Sequence, residues 1–335
     1  MLHIHFTAED LGRTRLATGP EPMWEMLLSL HKLTDNEGRV VFDGWRRRVR
    51  TVDRTGLPMS ARWLPLLAPP VGYSPDFLTP ARQAGDLGTG LDLVLATPRR
   101  RLRHDLTTLA AQQPLRGPVA ELADGSKGAL HQLGRALRDY HAHALAPFWD
   151  RIRTDVHADL TTRGKTFLHS GIEAVLTGLH PGARWNPPVL ELPYSRDHHI
   201  HLDGRGVRLL PSFFCWGRPF TFHDPVLPPV IAYPIEHDLA WTAPRSPRDP
   251  GRPLAALLGR TRTAVLTTVA AGGGCTTTEL ARRTGISLAS ASQHTGVLRD
   301  AGLITTVRRG GHVVHSLRPA GAALIHAPAG RGRPR

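Results

Sequence analysis

Thr278-Glu279-Leu280-Ala281-Arg282-Arg283-Thr284-Gly285-Ile286-Ser287-Leu288-Ala289-Ser290-Ala291-Ser292-Gln293-His294-Thr295-Gly296-Val297-Leu298-Arg299-Asp300-Ala301-Gly302 is the run that decides how the last third of the chain folds. Thr278 is placed to cap a short helix over 279–284, and Gly285 suits the left-handed residue that ends it in a tight turn. Ile286 is the turn's inward apolar residue, Ser287 caps a second helix over about 288–301, and Gly302 stops it. Ala291, Val297 and Leu298 make the inner face of that helix. Ala289, Ser290, Ser292, Gln293, Thr295 and Gly296 then lie on or beside the outer one. Upstream, 254–270 reads as one helix with Leu257, Leu258, Val265, Leu266 and Val269 inward, followed by Gly272-Gly273-Gly274. Downstream, 303–308 and 312–317 read as strands around an Arg309-Gly310-Gly311 turn. Helix, helix, turn, helix and hairpin in this order make a winged helix-turn-helix.

The outer face has the chemistry of a helix that enters the major groove. Its side chains are short and polar near the helix start, so the backbone can approach base edges closely. Gln293 can pair bidentately with adenine, Ser290 and Ser292 can reach bases or phosphates, and Arg299 is placed for the backbone, with the capping Thr278 and Ser287 counted among the DNA-binding residues. Arg308 and Arg309 sit at the hairpin tip, where phosphate or the minor groove would meet them. His294 is expected to pack within its helix. The charge agrees: residues 250–335 hold 12 Arg against Glu279 and Asp300, so +10 of the chain's net +14 falls there. Double-stranded DNA is the expected partner.

Leu258-Gly259-Arg260-Thr261-Arg262, Thr278-Glu279-Leu280-Ala281, Ser290-Ala291-Ser292-Gln293-His294 and Leu298-Arg299-Asp300-Ala301-Gly302-Leu303-Ile304, in that order, resemble ArsR-type winged-helix regulators. The resemblance implies DNA binding, transcription regulation and homodimerisation. Metal-sensing members carry paired cysteines around the second helix, whereas this chain has Cys275-Thr276-Thr277-Thr278, so no metal site is expected there. Phe6-Thr7-Ala8-Glu9-Asp10-Leu11 and Leu202-Asp203-Gly204-Arg205-Gly206 with Pro211-Ser212 resemble a companion domain that precedes such winged helices in actinobacterial regulators. No biochemical role comes with that likeness.

The remaining sequence reads as an α+β domain over 1–243, joined to the winged helix (254–326) by a proline-rich linker (244–253) and followed by a basic tail (327–335). Thr7 and Asp10 have capping-box spacing. Trp24, Leu27, Leu28, His31 and Leu33 mark one apolar helix face, and Leu130, Leu133, Leu137 and Tyr140 mark another. Residues 36–100 are broken by prolines into short helices and loops. The period then changes to two, and 199–202 with 207–210 suggests a hairpin in a small antiparallel sheet.

Two distant cysteines, Cys215 and Cys275, form no disulfide framework, and no stretch has the length of a membrane span, so a reducing cytoplasm is expected. No Gly-x-Ser-x-Gly, His-Glu-x-x-His or phosphate loop is present, so neither catalytic residues nor a cofactor are expected. His199 and His201 share a strand face with His198 opposite, a pattern read as a polar strand surface rather than a metal site. Arg46 to Arg50 and Arg99 to Arg103 read as solvated helix surface. The seven tryptophans all precede the linker, which fits either an aromatic-lined pocket for a small-molecule effector or packing of the core. The reading is a ligand-responsive transcriptional regulator. The alternatives are a winged-helix protein-interaction module and a metal-dependent enzyme.

Overall fold

The computed structural model describes residues 1–51, 57–239, 241–242, 251–271, 275–309 and 312–326. The chain divides into two compact units, Met1–Thr242 and Ala243–Arg335. The fold is α+β, with helices and mixed sheets. The linker expected over 244–253 lies mostly outside the described residues, and the tail over 327–335 lies wholly outside them. Among the described residues no helix is long and apolar enough to cross a membrane.

The helices of unit 1 are α1 (Ala8–Arg13), α2 (Pro22–Thr34), α3 (Arg39–Thr51), α4 (Leu64–Leu67), α5 (Leu87–Leu95), α6 (Arg99–Ala110), α7 (Pro118–Ala123), α8 (Lys127–Tyr140) and α9 (Trp149–Thr177). Its strands are β1 (Leu2–His5), β2 (Arg15–Leu16), β3 (Arg184–Asn186), β4 (Val189–Leu192), β5 (His198–His201), β6 (Arg208–Ser212), β7 (Phe220–Thr221) and β8 (Val230–Pro234). α1 begins at the capping box: Thr7 Oγ1 accepts from Asp10 N, and Asp10 Oδ2 accepts from Thr7 N at 2.7 Å. The other carboxylate oxygen of Asp10 accepts from Gly206 N, 2.7 Å away, which ties the first helix to the loop before β6.

α2 is buried all round rather than along one face. Every residue from Pro22 to Leu33 is buried, the polar Glu25, Ser29, His31 and Lys32 included. Burying these polar groups is tolerable because each has a partner. Glu25 accepts from Phe213 N (2.8 Å), Phe214 N (3.1 Å) and Ser212 Oγ (3.0 Å). Ser29 Oγ meets Tyr140 Oη at 2.8 Å, His31 Nε2 meets Ser74 Oγ at 2.9 Å, and Lys32 Nζ lies 2.6 Å from Asp35 and 2.8 Å from Glu37. Trp24 and Trp45 are fully buried in the same core.

The hairpin expected over 199–210 does not form. β5 pairs in parallel with β1 in a sheet of order β3-β4-β1-β5, whereas β6 pairs in parallel with β2 and β8 in a second sheet of order β2-β6-β8-β7. Both sheets are mixed. The intervening turn has positive φ at Asp203, Gly204 and Gly206, and carries the chain from one sheet to the other. Burial explains the difference, since β5 alternates with one exposed face while β6 is buried along nearly all its length. The arginine runs also hold inward members. Arg46 bonds Asp43 (2.8 Å) and Asp35 (3.1 Å), and Arg101 bridges Asp76 (3.2 Å), Asp105 (2.9 Å) and Asp224.

Unit 2 contains α10 (Gly251–Leu258), α11 (Arg260–Ala271), β9 (Cys275–Thr276), α12 (Thr277–Thr284), α13 (Leu288–Asp300), β10 (Ile304–Arg309), β11 (His312–Leu317) and α14 (Pro319–His326). The helix expected over 254–270 is broken in two at Gly259, whose φ of +83° is outside the right-handed helical region. Leu257, expected inward, is 68% exposed. Val265, Leu266, Val269, Leu280, Leu298, Leu303 and Ile304 form the core with the buried Cys275. The sheet order is β10-β11-β9, with Val307 opposite Val314 and His315 opposite Cys275.

The terminal α14 closes this core through Gly321. A Cβ there would collide with the Leu303 carbonyl oxygen, which is backbone and cannot swing aside. Gly321→Ala is therefore expected to cost about 1–3 kcal/mol by overpacking. A thermal melt of unit 2 unchanged by the substitution would contradict this packing.

Candidate nucleic-acid interface

The capping side chains fix where the two central helices start. The cap of α12 is Thr276 rather than Thr278: Thr276 Oγ1 accepts from Glu279 N at 3.3 Å, completing a Thr-x-x-Glu spacing. Thr278 is left exposed in the first turn. Gly285 ends α12 in the left-handed conformation at φ +68°, and Ile286 packs partly buried against the core. Ser287 caps α13, its Oγ accepting from Ser290 N at 3.2 Å.

The helical period from Ala291 determines which side of α13 points inward. Ala291, Thr295 and Leu298 are the buried residues, at four- and three-residue steps. Thr295, expected beside the outer face, is only 3% exposed, and its hydroxyl donates to the Ala291 and Ser292 carbonyls at 2.9 and 3.0 Å. A threonine satisfied within its own helix buries without leaving an unpaired polar group, which is why residue type misplaced it. Val297, expected inward, is 41% exposed. The outward stripe therefore runs through Ala289, Ser292, Gln293 and Gly296, of which the first three are exposed and Gly296 half-buried. Ser290 is half-buried at the edge, as is His294, and Arg299 is exposed with its guanidinium on Asp300 at 3.0 Å.

Arg308 and Arg309 end β10, in register with Val313 and His312, but their side chains lie outside the described residues. His315, not singled out in the sequence, holds the hairpin to the helices. It is buried, with Nε2 2.9 Å from Thr277 Oγ1 at the start of α12 and Nδ1 3.0 Å from Thr306 Oγ1 on β10. Burial, followed by the charge of Arg299, holds its pKa below the ordinary value. The unfolded chain therefore takes up the proton first as the pH falls, and unit 2 loses stability with acidification below about pH 6.5. His315→Gln is expected to flatten that acid limb in a pH series of melting temperatures. An unchanged limb would assign it to other groups.

Unit 1 holds a cavity of about 160 Å³ whose wall includes His31, Lys32, Tyr194, Phe214, Trp216 and Arg218. Of the tryptophans, Trp216 lines this cavity, while Trp24 and Trp45 belong to the core. Lys32 is held by Asp35 and Glu37, and Arg218 approaches Glu37 at 3.5 Å, so the polar side of the cavity carries both signs of charge.

A family model described as a helix-turn-helix domain matches residues 257–307. This span runs from the end of α10 through α13 into β10. No curated protein and no solved structure matches the chain.

Proposed function

We propose that the chain is an ArsR-type transcriptional regulator whose unit 2 reads double-stranded DNA, with α13 in the major groove and the β10–β11 hairpin as its wing. The observation that carries this reading is the outward stripe of α13: Ala289, Ser292, Gln293 and Gly296 combine small size with hydrogen-bonding groups on a face no core residue needs. The helix-turn-helix match over 257–307 supports the same reading. Thr278, Ser287, Arg299, Arg308 and Arg309 serve as backbone contacts flanking that stripe, and the Arg excess of residues 250–335 supplies the phosphate attraction. The active species is a homodimer that sets two recognition helices about 34 Å apart on a palindromic site. Light scattering that finds a monomer both free and on DNA would exclude this arrangement.

Unit 1 is the sensing part. Its cavity beside α2, with Trp216 and Phe214 near Lys32 and Arg218, would take a small polar aromatic effector and alter operator affinity through differential binding to two states. The test of the whole reading is selection of genomic fragments by the purified chain at two salt concentrations. Enrichment of a palindrome that survives high salt supports a regulator. Uniform retention that salt abolishes would favour a protein-interaction module, for which the exposed Leu288 and Val297 of α13 would be the contact surface.

A further inference from the structure

The solvent face of the first sheet gathers four imidazoles. Read as a single strand, β5 offers only His199 and His201 on one side. The parallel pairing with β1 places His3 opposite His199 and His5 opposite His201, on the same face. The rings stack, with centroids 4.6 Å apart for His3 and His199, 4.2 Å for His5 and His201, and 5.3 Å for His5 and His199. Across the diagonal, His5 Nε2 lies 3.0 Å from His199 Nδ1. Glu191 of β4 borders the cluster with its Oε1 3.8 Å from His3 Nδ1. Among the described residues no group of three or more such side chains is arranged to hold a metal ion, so a third imidazole would have to turn toward the pair. The nearest nitrogen pair, however, already lies near chelating distance: two ligands about 2.1 Å from one ion stand roughly 3.0 Å apart at 90° and roughly 3.4 Å apart at the tetrahedral angle, a difference a small ring rotation covers.

We propose that His5 and His199 chelate a divalent transition-metal ion of the imidazole-preferring kind, with His3 or His201 and water completing its shell. Two physical points support the assignment. The two strands hold the imidazoles in fixed register on backbone that is hydrogen-bonded on both sides of β1, so little ordering is required of them. His199 and His201 are exposed, which leaves the ion a path from solvent. On binding, whichever ring donates in the His5–His199 hydrogen bond moves that proton to its other nitrogen by exchange with water. Two lone pairs then face the ion, and no net proton is released from neutral rings.

The test is titration of the untagged full chain with Zn(II) by calorimetry and with Co(II) by visible spectroscopy, at about pH 7.5, where imidazole is neutral. The expected result is a single ion per chain, a Co(II) spectrum with nitrogen-ligand character, and loss of both on His5→Asn or His199→Asn. The exposed His169→Asn on α9 should leave binding unchanged, and circular dichroism of each variant checks that unit 1 is intact. Absence of Zn(II) and Co(II) binding to the folded wild-type chain overturns the proposal. Binding that survives in a folded His5→Asn/His199→Asn double variant overturns it equally.

Discussion

Replacing Glu25 with leucine is expected to unfold unit 1 or nearly so. Its carboxylate is the acceptor for Phe213 N, Phe214 N and Ser212 Oγ, all buried where β6 ends, and leucine accepts from none of them. Each buried donor left unpaired costs about 1–3 kcal/mol, so the two backbone amides alone bring the loss to roughly 2–6 kcal/mol, comparable to the stability of a whole domain. A melting temperature within a few degrees of wild type would show that the three donors find other acceptors.

Glu25→Gln separates shape from charge. Burial pushes the Glu25 carboxyl up to about 7 against the pull of its three donors, and burial, with Lys32 nearby, pushes the His31 imidazole down to about 3. The two act oppositely. From about pH 4.5 to 7 the folded state holds a proton on Glu25 that the unfolded chain has released, so this group's contribution falls as pH rises. Below about pH 6.5 the unfolded chain protonates its histidine while His31 stays neutral, so that contribution falls as pH drops. Between about pH 4.5 and 6.5 the slopes offset each other in the wild type. Glu25→Gln removes one of them, and its melting temperature relative to wild type should decline steadily with acid across that window. Parallel curves for the two proteins would mean that Glu25 ionises in the folded state as it does in water.

The second large effect belongs to α13. Gln293→Ala should weaken binding to the selected operator by about 1–3 kcal/mol, some five- to 150-fold, while leaving affinity for random DNA nearly unchanged. The stripe geometry explains the selectivity: Gln293 is the longest hydrogen-bonding side chain on it, between the small Ala289 and Gly296. Arg299→Ala should instead weaken all sequences alike and lower the salt slope by about one. Equal losses on operator and random DNA for Gln293→Ala would show that another face of the helix meets the bases.

Much of unit 2 was legible because its punctuation is local. Gly285, Ser287 and Gly302 each act within a turn or two, and the first two end and begin helices where their chemistry requires. The cap of α12 was assigned to Thr278 instead of Thr276, because three consecutive threonines offer three frames and only the spacing to Glu279 distinguishes them. At Thr295 residue type and period point opposite ways, and period decides: Ala291, Thr295 and Leu298 keep the helical step, whereas Val297 does not. His315 carried no local signal. Its value comes from Thr277 and Thr306, brought to it from other elements.

In unit 1 α2 and α8 followed from their stripes, whereas the thirteen-residue α3 fell in the stretch read as short helices and loops, and the strand partners left no local signal. Nothing near β5 or β6 records that one joins β1 and the other joins β2 and β8. The histidine cluster was hidden for the same reason, because half of it lies on β1 and half on β5.

The pairing of β1 with β4 and β5 also has a temporal consequence. Residues 2–5 leave the ribosome well before their partners, residues 189–192 and 198–201, so this sheet cannot close until most of unit 1 has been synthesised. Such distant contacts slow folding, because a long loop must be closed before any hydrogen bond of the sheet rewards it. β1, with Leu2 and Ile4 fully buried in the finished unit, must wait as an exposed apolar strand throughout that interval. The winged helix, built from neighbours in sequence, carries no such delay. A nascent chain halted before residue 189 should consequently be a chaperone client and prone to aggregate, whereas unit 2 should acquire its structure soon after it emerges.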